Sequence, residues 1–201
     1  WINIFWIIFL LFGCSSNSNN ENVSSSDSIN RINTNQLMDK ALSESPTAFI
    51  NALSKNCPLI SSLNFELTAE SDDSIEKKLL PLSKQQKEYF YKSDSLKEVH
   101  DFYHFESFYY GKINEKEGIS SIFVLNSNFE TAIYLECFLI NKKGEITGMF
   151  YPSYIELEEN YSYYGRGKFI NDFNYLQTHI SYTNSDDETY TVKDSTIAEY
   201  N

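Results

Sequence analysis

Residues 131–140 read TAIYLECFLI, and residues 141–144 read NKKG. The first stretch alternates as a strand does, with Ile133, Leu135, Cys137 and Leu139 on one face. Asn141-Lys142-Lys143-Gly144 is hairpin chemistry, with Gly144 placed for left-handed backbone. Residues 145–151 and 154–157 return beside it. Pro152 between them marks an edge or a bulge, because proline has no N–H to give to a ladder.

The same period of two extends outward. Upstream, 119–125 (ISSIFVL) closes at NSN, and the aromatic run 102–113 (FYHFESFYYGKI) ends at NEKEG. Downstream, Tyr161, Tyr163, Gly165, Gly167 and Phe169 share a face, and Asn171-Asp172 turns the chain. Residues 173–183 alternate weakly, Asn184 to Asp187 turn, and 188–193 (ETYTVK) make a last strand. Short turns and the lack of helical crossovers from 102 onward argue against a parallel sheet. No fixed-period repeat supports a propeller. The expected fold is α+β and β-dominated. Its core is an antiparallel meander, curved or partly closed, of about six to eight strands with short N-terminal helices.

Those helices have start signals. Ser45 precedes Pro46, an N-cap and a first helical residue, and Ala48, Phe49, Ala52 and Leu53 follow on one face. Ser83 and Gln86 are spaced as a capping box for a helix over 84–91. Leu63 to Leu67 alternates as a short strand, and 69–78 (AESDDSIEKK) is loop-like.

The N-terminus is different in kind. Residues 1–13 (WINIFWIIFLLFG) carry no charge and are too short to span a bilayer. They fit the apolar core of a secretory signal. The first residue is Trp and no charged segment precedes the run, so a few residues are expected to be missing from its start. Leu11-Phe12-Gly13-Cys14 resembles the lipobox of bacterial lipoproteins in Leu11, Gly13 and Cys14, with Phe12 bulkier than the pattern. The resemblance implies cleavage before Cys14, diacylglycerol on its thiol and a lipid anchor in the bacterial cell envelope. Each buried methylene contributes ~0.8 kcal/mol, so two or three acyl chains hold firmly. Residues 15–36 are nearly all Ser and Asn with a few charges, too polar to bury a core. The expected division is a signal at 1–13, a flexible tether at 14–36 and one β-rich domain at 37–201. Tyr-Tyr-Gly-Lys-Ile (109–113), Asn-Lys-Lys-Gly-Glu-Ile (141–146) and Gly-Lys-Phe-Ile-Asn (167–171) further resemble small uncharacterised bacterial lipoproteins with meandering sheets. That resemblance implies no activity.

The 201 residues carry 16 Lys+Arg against 28 Asp+Glu, a net charge of −12. Nucleic acid is therefore not an expected partner, since phosphate binding needs a basic face. The −12 lies entirely beyond residue 13, and both Trp, Trp1 and Trp6, lie before it.

Few residues offer chemistry. With Cys14 lipidated, Cys57 and Cys137 remain, either as a disulfide or as two buried thiols. His100 and His104 are four apart and followed by Glu106, but the zincin pattern needs Glu where Asp101 stands. His179 is alone. No metal or cofactor is expected. Glu156, Glu158 and Glu159, or Asp186, Asp187 and Glu188, would serve a glycosidase only if two carboxyls faced each other across a cleft. Gly165-Arg166-Gly167 lacks a phosphate loop's continuation and is expected at a bulge or bend. Tyr151, Tyr154, Tyr161, Tyr163 and Tyr164 crowd one region beside Arg166. They are either a surface that grips a glycan or a protein, or cross-strand packing. The expected role is a lipid-anchored binding or structural protein rather than an enzyme. The alternatives are a surface carbohydrate binder using the tyrosines, and a periplasmic or surface hydrolase.

Overall fold

The computed structural model describes residues 25–60, 64–67, 79–92, 104–128, 131–158, 161–169, 175–183 and 191–200. The helices are α1 (Ser25–Glu44), α2 (Pro46–Asn56) and α3 (Lys84–Phe90). The strands are β1 (Asn64–Phe65), β2 (Leu80–Pro81), β3 (Glu106–Lys116), β4 (Ile119–Ser127), β5 (Ala132–Asn141), β6 (Ile146–Leu157), β7 (Tyr161–Phe169), β8 (Tyr175–Thr183) and β9 (Thr191–Tyr200). Strands β2 to β9 follow chain order in one antiparallel sheet that does not close, and β1 pairs with β7 beside that path. The fold is α+β and β-dominated, as expected. The strand beyond the expected count is β2, whose two residues are too few to show a period.

Strand β5 is buried on both faces because each face has its own cover. Phe138 and Ile140, with Ile122 and Val124 of β4, pack against Met38, Phe49, Leu53 and Phe90 of the helices. Leu135 and Cys137, with Phe123 and Leu125, pack on the other side with Phe65 of β1 and Tyr175 of β8. Cys57 belongs to the helix-side cluster and Cys137 to the other, so the sheet lies between two free, buried thiols. Burial pushes the Cys57 thiol up to about 12 and Cys137 higher, so both stay protonated.

Local chemistry sets the helix ends. Ser45 Oγ accepts from Ala48 N at 3.1 Å, and Pro46 opens α2. Ser83 and Gln86 form both halves of a capping box at α3. Asp39 of α1 accepts from Ser83 Oγ and from Gln86 Nε2, binding the two helices together. Helix α1 begins at Ser25, inside the stretch expected to be tether. Asn35 explains part of the difference: its Nδ2 donates to Pro81 O at 2.8 Å, and Met38 one turn later is fully buried.

Strand β3 runs over 106–116 rather than 102–113, and 102–103 lie outside the described residues. Pairing carries it to Lys116↔Ile119, and the chain turns at Glu117 and Gly118, both at positive φ. The hairpin at 141–144 forms as expected, with Gly144 at φ 77. A Cβ there would sit 2.6 Å from the Pro46 carbonyl carbon, so this turn docks against the start of α2.

Candidate functional site

Pro152 shapes the site. Tyr151 and Pro152 have no partners in the β5 ladder, which steps from Leu135↔Ser153 to Cys137↔Phe150. The expected bulge is here. Strand β7 pairs with β6 only from Tyr154↔Gly165 to Leu157↔Ser162. Beyond Gly165 the strands part, and β1 takes β7 instead, through Phe65↔Gly167 and Asn64↔Lys168. Ser153 sits in the fork: its Oγ donates to Gly165 O at 2.8 Å and accepts from Leu67 N at 3.0 Å. The carbonyls at the bulge are satisfied from β8, Pro152 O by Tyr175 Oη and Tyr151 O by Gln177 Nε2.

At the fork lies a groove of about 320 Å³. Glu66 and Leu67 line one side, continuing β1. Tyr164, Arg166, Ile180 and Tyr182 of β7 and β8 line the other, with Tyr154 and Gly165. Tyr164 and Tyr182 are half-buried and meet edge to face, 5.3 Å between centroids at 87°. Arg166 Nη1 lies 3.3 Å from Glu66 Oε1, with side chains 54% and 64% exposed. So exposed a pair adds little to stability, and both partners can turn to a ligand.

The six residues singled out in sequence do not act as one patch. In β7 the pleat sends Tyr161, Tyr163 and Gly165 to one face, and Tyr164 and Arg166 to the other. Tyr164 and Arg166 line the groove from one face; Tyr154 reaches it where it pairs with Gly165, while its ring lies over Gly165 on the other face. Tyr161 and Tyr163 stack on each other, centroids 6.4 Å apart at 26°. On their face Tyr154 Oη bonds His179 Nδ1 at 2.8 Å, Tyr134 Oη donates to Glu156, and the Tyr134 ring contacts both Tyr151 and Tyr154. Burial, with Glu136 and Glu156 nearby, pushes the Tyr151 hydroxyl up to about 12. That face is cross-strand packing.

The glycines of Gly165-Arg166-Gly167 do not make a bend, for β7 pairs with β8 across all three without a register shift. They make room for rings. A Cβ on Gly165 would lie 2.1 Å from Tyr154 Cε1, and one on Gly167 1.9 Å from Tyr175 Oη.

Two polar residues of the groove, Glu66 and Tyr182, were missed in sequence, and so was Glu136, which is buried away from it. Glu66 reaches the groove only because β1 pairs with β7 about a hundred residues later, which no local pattern announces. Tyr182 is signalled only by register, opposite Ser162 and next to Tyr164 on the same face. Glu136 had a visible signal, as the one charge in TAIYLECFLI. It is 6% exposed, and Tyr91 Oη donates to it at 2.6 Å.

Cys14, His100, Glu159, Asp186, Asp187 and Glu188 lie outside the described residues. His104 stands at positive φ just before β3. Among the described residues no group of three His, Cys, Asp or Glu could hold a metal. No described helix is long and apolar enough to cross a membrane. Comparison with known proteins returns no match: no family model, curated protein or solved structure is significantly similar to the chain.

Proposed function

We propose that the chain is a lipid-anchored protein of the bacterial cell envelope whose sheet domain binds a saccharide, without turnover, in the groove at the β6–β7 fork. The observation that carries the reading is the pairing of two half-buried tyrosines, Tyr164 and Tyr182, with the exposed Arg166–Glu66 pair around one concavity. A sugar ring offers apolar C–H faces and a rim of hydroxyls. Tyrosine supplies a flat apolar ring with a polar tip, and the ion pair supplies a donor fork and an acceptor. Binding is favoured over hydrolysis because glycosidases need two opposed carboxyls. Glu66 is the one carboxylate among the described residues that line the groove.

The anchor rests on Leu11-Phe12-Gly13-Cys14. Cells fed radiolabelled palmitate should incorporate label into the wild type and not into Cys14→Ala, and the variant should leave the membrane fraction. A wild type without label would refute the anchor. For the ligand, an array of neutral and acidic glycans probed with the full chain should give hits that Tyr164→Ala abolishes. An array with no hits, or hits indifferent to Tyr164→Ala, would refute the saccharide.

A further inference from the structure

Among the described residues that line the fork groove, the charged ones are Arg166 on β7 and Glu66 just after β1, one of each sign. They meet at one point, where Arg166 Nη1 donates to Glu66 Oε1 at 3.3 Å. Among the described residues neither side chain makes a second hydrogen bond or ion pair. The contact is end-on, not the two-bond fork that makes an arginine–carboxylate pair strong. A guanidinium carries five N–H donors and a carboxylate two acceptor oxygens. Glu66 Oε2 and the Nη2 and Nε donors of Arg166 are therefore left for another partner. The next cation on that face of β7, Lys168, lies opposite Asn64 of β1 and does not line the groove.

Donors and an acceptor side by side suit a ligand that is both. In a neutral vicinal diol, one hydroxyl accepts from Arg166 while its neighbour donates to Glu66, each in a charge-assisted bond. The ion pair is kept and no net charge enters. A carboxylate would have to take Arg166 away from Glu66, and would then stand beside a Glu66 that has lost its partner. An ammonium meets the mirror problem at Arg166. The net charge of −12 adds a field that repels anions at longer range. Tyr164 and Tyr182, perpendicular to each other, and the half-buried Leu67 and Ile180 supply apolar surface for the C–H face of the ring.

We propose that the groove selects neutral saccharides, through a vicinal diol that bridges Arg166 and Glu66, and rejects saccharides that carry a carboxylate on the bound ring. The inference rests on the saccharide reading of this groove and names the class within it. Two like charges brought side by side at a protein surface change affinity by roughly tenfold or more, so the discrimination is large enough to measure.

The test is a titration of the full chain over neutral glycans printed twice, once native and once with their primary alcohols oxidised to carboxylates. Oxidation leaves the ring diols in place and adds only the charge. In the wild type, at least one native glycan should bind, and its oxidised form should bind roughly tenfold or more weakly. Glu66→Gln keeps the shape and removes the charge, so there the preference should shrink to within about twofold or reverse. Arg166→Gln should weaken the native glycan by roughly tenfold, the loss of a charge-assisted donor. Both side chains are more than half exposed, and unchanged circular dichroism should show that the variants fold. Oxidised glycans that bind as well as native ones in the wild type, with both lost in Tyr164→Ala, would overturn the diol bridge and leave the saccharide groove standing. A preference that persists unchanged in Glu66→Gln would overturn the bridge too. Absence of binding to every glycan, or binding indifferent to Tyr164→Ala, would refute the saccharide groove itself and the bridge with it.

Discussion

Phe138→Ala is expected to destabilise the protein by about 3–5 kcal/mol, the range for truncating a buried phenylalanine. Phe138 is fully buried at the junction of the two layers. Its ring lies 4.8 Å from Phe90 of α3 and 5.6 Å from Tyr91, and its strand carries the centre of the sheet. Removing the ring opens a cavity under α3 that the paired backbones of β4 and β6 cannot collapse to fill. Urea unfolding followed by far-UV circular dichroism should show a lowered midpoint at constant slope. Phe150→Ala, at a partly buried ring on the opposite cluster, should cost less. Equal costs would mean that the helix layer is not held by this contact.

Gly167→Ala is expected to cost about 3 kcal/mol, the upper part of the range for overpacking. The added carbon would lie 1.9 Å from Tyr175 Oη and 2.8 Å from the Leu176 carbonyl oxygen. The backbone oxygen cannot swing away, so the ring must. Its departure breaks the bond to Pro152 O and the ring contacts with Phe150 and Phe169. A double-mutant cycle reads this directly. In the Gly167→Ala background, Tyr175→Ala should cost far less than in the wild type. Additive costs would show that glycine and ring are not coupled.

Much of the architecture was legible because β-strand period and turn chemistry are local. TAIYLECFLI with NKKG gave a strand and its hairpin, Pro152 gave the bulge, and Ser45-Pro46 and Ser83…Gln86 gave two helix starts. What stayed hidden depends on distant partners. The polar Ser25–Gln36 stretch has no apolar period, yet it is part of α1, whose Asn35 meets Pro81. Gly165 and Gly167 signal only an absent side chain, and which ring fills the space is set by strands on either side. The site was half legible. The tyrosine-rich run drew notice to the right region, but the pleat divides it, and that division follows from alternation alone: Tyr163 and Tyr164 are neighbours and must face opposite ways. Glu66 could not be found this way, because β1 and β7 meet only in the folded chain.

The same division supplies the sharpest test of the proposed groove. Isothermal titration calorimetry of the strongest array glycan should be run against the full-length wild type, Tyr164→Ala and Tyr163→Ala. Loss of a central aromatic contact typically costs more than 1 kcal/mol, so Tyr164→Ala should weaken binding by roughly tenfold or more. Tyr163→Ala, on the far face, should stay within about twofold of wild type, within the spread of substitutions outside a contact. Equal losses in both variants, or a greater loss in Tyr163→Ala, would contradict the assignment of the groove as the binding site.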